Sequence, residues 1–239
     1  CNTCGEFTDG LGLIQWATGW SFPETVKNIH EHLNGLTLHP TSERHIRAEV
    51  KPINNDRNKQ KIKDVLASCK ATSATLNHYL KHRGLGALIG RVPADLRAVD
   101  RLPYWENIDG KYQRLGFYPA MIGIIRNLSG DVVALHRTYL TQEGTKADVL
   151  SPKKIMPPVV RGACAGCAIQ LFKPTEDLAL TEGAETALAV HLSTGLPVWA
   201  AISSTMLEKV QIPSTVKNVF IMADKDRSGV GVAAANKLA

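Results

Sequence analysis

The chain has 239 residues and a mass of 26.0 kDa, and its 28 Lys and Arg against 22 Asp and Glu give a net charge of +6. A composition of 44% hydrophobic, 21% charged and 6% aromatic residues is that of a globular protein and excludes a disordered, fibrous or collagen-like chain. No run of 18 apolar residues occurs, so no membrane-spanning helix and no membrane partner are expected.

In chain order, Cys1 and Cys4 form a Cys-x-x-Cys pair, and a sequence that opens on its first cysteine reads as a piece cut from a longer protein without a signal peptide. Ser21 is a predicted N-cap, with Pro23 and Glu24 in the first turn of a helix reaching about Leu33. The polar stretch 36–55 reads as a linker. Helices are predicted from about Asp56 to Lys70, with Cys69 inside as a small buried apolar residue, and from about Ala74 to Lys81. Residues 43–70 hold eight basic side chains against four acidic ones, which suits a polyanion or simply a solvated face. The apolar runs Met121–Ile125 and Val132–Leu135 bracket Asn127-Leu128-Ser129-Gly130-Asp131 and predict a hairpin, extended by Arg137, Thr138 and Tyr139. Lys146, Lys153 and Lys154 are expected in the loop that follows.

The last third alternates between strand and helix. Strands are predicted at Leu178–Thr181, Pro197–Ala201 and Val219–Ala223, and helices at 183–194, 204–210 and from Gly229 on, which implies a parallel sheet with helical crossovers. From Pro174 on there are five basic residues against seven acidic ones, so this end is acidic while the front two-thirds is basic. Five cysteines, an odd number, fit a reducing, cytoplasmic setting, and Cys164 and Cys167 read as incidental.

Working groups in such sheets sit at the carboxyl ends of the strands. Glu182 directly follows the first of these strands, and Asp224 and Asp226 directly follow the third. Each acid alone reads as readily as a helix cap. Three carboxylates on one edge repel one another unless a cation sits among them, and hard oxygen ligands suit Mg²⁺ or Mn²⁺. Glu185, on the following helix, reads as a surface acid or as a support for these ligands.

The segments Thr181-Glu182-Gly183-Ala184-Glu185-Thr186 and Ala223-Asp224-Lys225-Asp226-Arg227-Ser228-Gly229 resemble the Toprim domain of phage and mobile-element primases. Cys1-x-x-Cys4-Gly with the Asp9-Gly, Leu13-Ile14 and Ser21-Phe22 that follow resembles the second half of a primase-helicase zinc ribbon. Tyr79-Leu80-x-x-Arg83-Gly84, Met121–Arg126 and His136–Leu140 resemble the N-terminal subdomain of the primase polymerase core. The resemblance implies an α/β fold: a Toprim domain with a Rossmann-like parallel sheet, preceded by an α+β primase N-terminal subdomain and a partial zinc ribbon. The implied divisions are 1–35 for the ribbon and its helix, 36–73 for a basic linker and helix, 74–173 for the N-terminal subdomain, and 174–239 for an incomplete Toprim domain.

The same resemblance implies a nucleotidyltransferase, a DNA primase that makes short RNA primers on single-stranded DNA for a phage, plasmid or other mobile element. Its partners would be template, nucleoside triphosphates and a fused or separate replicative helicase. Glu182, Asp224 and Asp226 would be the catalytic metal ligands for Mg²⁺ or Mn²⁺. Arg83, Arg137, Lys146 and Lys154 would contact nucleotide or template phosphates. Cys1 and Cys4 would be half of a zinc site, with His30 or His32 as conceivable further ligands. The other readings are Toprim strand cleavage of the nuclease or topoisomerase kind, and a non-catalytic single-stranded DNA-binding module.

Overall fold

The structure, a computed structural model, describes residues 14–15, 17–34, 55–160, 162–222 and 238. The chain divides into two compact units, Cys1–Lys51 and Pro52–Ala239. In the first, helix α1 spans Phe22–Asn34. Its start is a capping box: the Ser21 N–H and hydroxyl both donate to the Glu24 carboxylate, at 2.8 and 2.7 Å. Cys1, Cys4 and the expected linker at 36–54 lie outside the described residues.

The second unit is an α/β layer built on one eight-stranded sheet. Helices α2 (Asn55–Ser68) and α3 (Ala74–His82) come first. Helix α2 ends before Cys69, which is half-buried just beyond it. Strands β1 (Leu96–Ile108), β2 (Lys111–Arg126), β3 (Val132–Tyr139) and β4 (Lys153–Ile155) form an antiparallel group. The predicted 121–135 hairpin is the β2–β3 pair. The expectation of a loop at Lys153 and Lys154 is corrected: both lie on β4, held by antiparallel pairing with Thr138 and Arg137.

The two-residue strand β5 (Ala168–Ile169) joins this group to the parallel one, pairing antiparallel with β2 and with β7 (Val198–Ala200). Just before it, Cys164 and Cys167 flank a turn, and the buried Cys167 thiol donates to the Ala163 carbonyl at 3.0 Å. Strand β6 (Asp177–Thr181) then leads into α4 (Ala184–Thr194), β7 into the short α5 (Ser204–Leu207), and β8 (Asn218–Met222) follows. Strand β6 pairs parallel with both β7 and β8, as the strand–helix alternation implies.

Side chains of β2 alternate between two cores, as a period of two requires. Met121 and Ile125 join α3, α4 and the parallel strands on one face, whereas Ala120, Ile122 and Ile124 join Ile62 of α2 and Tyr104 and Tyr139 on the other. Each fully buried Leu or Ile contributes about 1.5–3 kcal/mol relative to exposure. Asp95 and Arg126 lock the start of β1 to the end of β2. The Arg126 Nε and Nη2 donate to the buried Asp95 carboxylate at 2.8–3.0 Å, and Nη1 donates to the Gly130 carbonyl at 2.8 Å.

Candidate active site at the carboxyl edge of the parallel strands

Glu182 leaves the sheet at the end of β6, where two contacts fix the backbone. The buried Thr181 hydroxyl donates to the Gly183 carbonyl at 2.9 Å, and the Ile202 N–H donates to the Glu182 carbonyl at 2.7 Å. Ile202 has φ +74°. A β-branched residue is strained there, at a cost of roughly 1–3 kcal/mol, and this strain sits at the loop beside Glu182. The parallel register pairs Thr181 with Met222, the last residue of β8. Asp224 and Asp226 follow Met222 by two and four positions and lie outside the described residues. Among the described residues no group of three or more His, Cys, Asp or Glu stands close enough to hold a metal. As a donor type, the Glu182 carboxylate is a hard oxygen ligand that fits Mg²⁺ or Mn²⁺.

A second charged constellation adjoins this edge. Glu185, in the first turn of α4, is 7% exposed, so of the two roles the sequence left open for it, surface acid or support for the metal ligands, the first does not hold. Lys153 Nζ lies 2.9 Å from both carboxylate oxygens, and the Tyr79 hydroxyl donates to Oε1 at 2.6 Å. Burial pushes the Glu185 carboxyl up, but the Lys153 charge and these hydrogen bonds outweigh it and hold the group at about 2. The Tyr79 hydroxyl is pushed well above the ordinary tyrosine range by burial and the Glu185 charge. Burial and the Lys153 charge bring the enclosed His136 down to about 4, so it is neutral at pH 7. Lys146 is held below the usual lysine range by burial and by the charges of Lys153 and Arg83, against the pull of Glu185. Arg83, Lys146 and Lys153 thus share one electrostatic neighbourhood.

Arg137 and Lys154 lie elsewhere. Along β3 and β4 they alternate with His136, Thr138 and Lys153, and therefore occupy the opposite face of the sheet. There Lys154 donates to the Trp105 carbonyl at 2.7 Å and to Glu106 at 2.8 Å, and sits 4.4 Å from the Tyr104 ring centre. The Arg137 guanidinium donates to the Tyr139 hydroxyl at 3.1 Å. The four cations singled out from the sequence therefore do not line one surface, and Lys153, which was not singled out, stands with Arg83 and Lys146.

Gly144 positions the loop that carries Lys146. Its φ is +78°, and a Cβ there would meet His78 Cβ and the Tyr79 backbone nitrogen at 2.5 Å. The Gly144 carbonyl lies 3.0 Å from His82 Nδ1. Gly144→Ala should therefore destabilise the protein by about 2–4 kcal/mol, since the loop must back away from α3. Thermal unfolding checks this; an unchanged melting temperature would contradict it.

Residues 177–239 match the Toprim domain family. Residues 56–166 match a family described as a domain of unknown function, DUF7146. No curated protein matches the chain in sequence. Among solved structures, a DnaG catalytic core is 14% identical with a TM-score of 0.48, covering 77% of this chain and 64% of that one. A DNA primase domain from Pseudomonas aeruginosa is 19% identical with a TM-score of 0.46, with coverage of 77% and 64%. The Aquifex aeolicus primase, with its zinc-binding and RNA polymerase domains, is 16% identical with a TM-score of 0.47, with coverage of 100% and 63%. The chain thus spans just under two thirds of the length of each. None of the described helices is long and apolar enough to cross a membrane.

Proposed function

We propose that the chain is the polymerase core of a Toprim-type DNA primase, a cytoplasmic nucleotidyltransferase that makes short RNA primers on single-stranded DNA for a phage, plasmid or other mobile element. The observation that carries this reading is the Thr181–Met222 register within a region matching the Toprim family. It brings the strand ends preceding Glu182 and Asp224 side by side. Glu182, Asp224 and Asp226 would hold Mg²⁺ or Mn²⁺, which when bound neutralises charge developing on the phosphates. The chain's own contribution is positional. Thr181 and Ile202 fix the Glu182 backbone, and Arg83, Lys146 and Lys153 offer a triphosphate a cluster of cations. Glu185 and Tyr79 hold the Lys153 ammonium in place. Arg137 and Lys154 would meet template on the opposite sheet face. Cys1 and Cys4 would contribute to a zinc site that reads template, and a replicative helicase would be the working partner.

Incubation with single-stranded DNA, Mg²⁺ or Mn²⁺ and labelled nucleoside triphosphates, beside a nicking assay on supercoiled DNA, separates the readings. Metal-dependent incorporation without nicking is expected. Nicking without incorporation would favour strand cleavage, and salt-sensitive DNA binding with neither would leave a non-catalytic module.

A further inference from the structure

Strands β1 and β2 run past the rest of the sheet. Strand β3 pairs with β2 only over Ala120–Arg126, so from Leu102 to Tyr118 the two strands form a ribbon of their own. It closes at Asp109-Gly110, where φ of +50° and +80° is the pattern of a type I′ turn. At its base Leu102, Tyr104 and Tyr118 pack into the core on the α2 side. The ribbon also leaves large aromatics in solvent: Phe117 at its base is 39% exposed and, further out, Trp105 is 43% and Tyr112 74% exposed. So much aromatic surface on a two-stranded projection is unusual unless something covers it.

The charges around these rings are cationic. Glu106 is paired with Lys154, and Asp100 with Lys70. The charged residues left on the ribbon are then Arg101, Lys111 and Arg114 against Asp109. The Arg101 and Arg114 guanidiniums lie 4.0 and 4.8 Å from the centre of the Phe117 ring. A guanidinium held against a ring presents a flat cationic plane on which a nucleobase can stack.

We propose that this ribbon is a docking surface for single-stranded nucleic acid, with unpaired bases stacking on Trp105, Tyr112 and the Arg–Phe117 stack while Arg101, Lys111 and Arg114 meet the phosphates. The assignment rests on the nucleic-acid reading above and adds where the strand is held, away from the Glu182 edge. Interleaved rings and cations are what a single strand requires, because every unpaired base offers a π-face and every linkage a charge. A duplex keeps its bases stacked and cannot use the rings in this way.

The test is fluorescence anisotropy of the 239-residue chain with a labelled oligodeoxythymidine and with an abasic strand of the same length. The wild type should bind the thymidine strand at least about fivefold more tightly than the abasic one, the effect of one base–aromatic stack. Tyr112→Ala should cut that preference by about fivefold, the share of one stack, and leave abasic binding unchanged, whereas Tyr112→Phe, which keeps the ring, should retain it. Arg114→Gln should weaken both and lower the magnitude of the salt slope by about 0.7. Circular dichroism controls for folding, and Tyr112 is exposed enough for its removal to be tolerated.

Unchanged thymidine-strand affinity in Tyr112→Ala would overturn the proposal. So would a Tyr112→Ala effect confined to binding of anionic vesicles or to self-association. If the wild type shows the ring-dependent preference yet incorporates no nucleotide, primer synthesis fails and the ribbon assignment stands. If it makes primers while Tyr112→Ala binds the strand normally, only the ribbon assignment fails.

Discussion

Glu182→Gln is expected to lower metal-dependent nucleotide incorporation by at least about a hundredfold, and to raise the Mg²⁺ concentration needed for half-maximal activity, while leaving the melting temperature within a few degrees of wild type. The substitution keeps the side chain's shape and removes one negative charge. Two contacts at this position, the Ile202 N–H to the residue 182 carbonyl and the Thr181 hydroxyl to the Gly183 carbonyl, do not use the side chain and survive the change. What is lost is a hard anionic oxygen. A catalytic divalent ion is worth several kcal/mol of transition-state charge stabilisation, and a hundredfold corresponds to about 2.7 kcal/mol of that. A Mg²⁺ titration of activity distinguishes this from a capping role. A residue that merely caps α4 would cost stability and leave the metal requirement where it was.

Lys153→Met should destabilise the protein by roughly 2–3 kcal/mol. Breaking a buried ion pair leaves an uncompensated charge, here Glu185 at 7% exposure, and this ordinarily costs about 3–5 kcal/mol. The Lys153 side chain is 35% exposed, so solvent screens part of the interaction and the lower figure applies. The double variant Lys153→Met with Glu185→Met should recover much of the loss, because the stranded charge is then gone.

The same pair sets an acid limb. The folded-state value of Glu185, about 2, lies below that of an unfolded carboxyl near 4.3, so the unfolded chain binds more protons between those values. The stability this group contributes is complete above about pH 4.3 and is lost as pH falls towards 2. In Lys153→Met that contribution should disappear. Chemical denaturation at pH 3 and pH 7 reads both effects, and equal stability of wild type and Lys153→Met at pH 7 would contradict the account.

The parallel half of the fold was legible in the sequence because each of its elements announces itself locally. Leu178–Thr181 is a short apolar run, Gly183 and Gly195 bound an Ala- and Leu-rich helix, and Val219–Met222 repeats the strand signal. The β2–β3 hairpin was legible for the same reason. Strand β1 was not. Its alternation is broken by Asp100 and Arg101, where the register shifts between Val99 and Leu102, and Pro103 interrupts it again. Strand β4 is three residues long, too short for a period to show, so the sequence could not tell which of Lys153 and Lys154 faces Glu185.

At the candidate site, the place of Glu182 at a strand end was readable, because the apolar run before it marks the strand locally. Glu185 was not, because its burial comes from Tyr79, 106 residues earlier, and Lys153, 32 residues earlier, and no local pattern encodes such contacts. The exposed aromatics of the ribbon were invisible for a related reason. An alternating strand reads as half-buried, and only the end of β3 pairing at Ala120 leaves Tyr112 and Trp105 in solvent.

The central claim is that Glu182 and the Asp224–Asp226 pair act together as one metal-binding catalytic edge. Metal-dependent incorporation of labelled nucleotide on single-stranded DNA by the protein carrying Asp224→Ala tests it most directly. The account predicts that primer synthesis is abolished while circular dichroism and the melting temperature match wild type. Primer synthesis at the wild-type rate by a folded Asp224→Ala protein would contradict it.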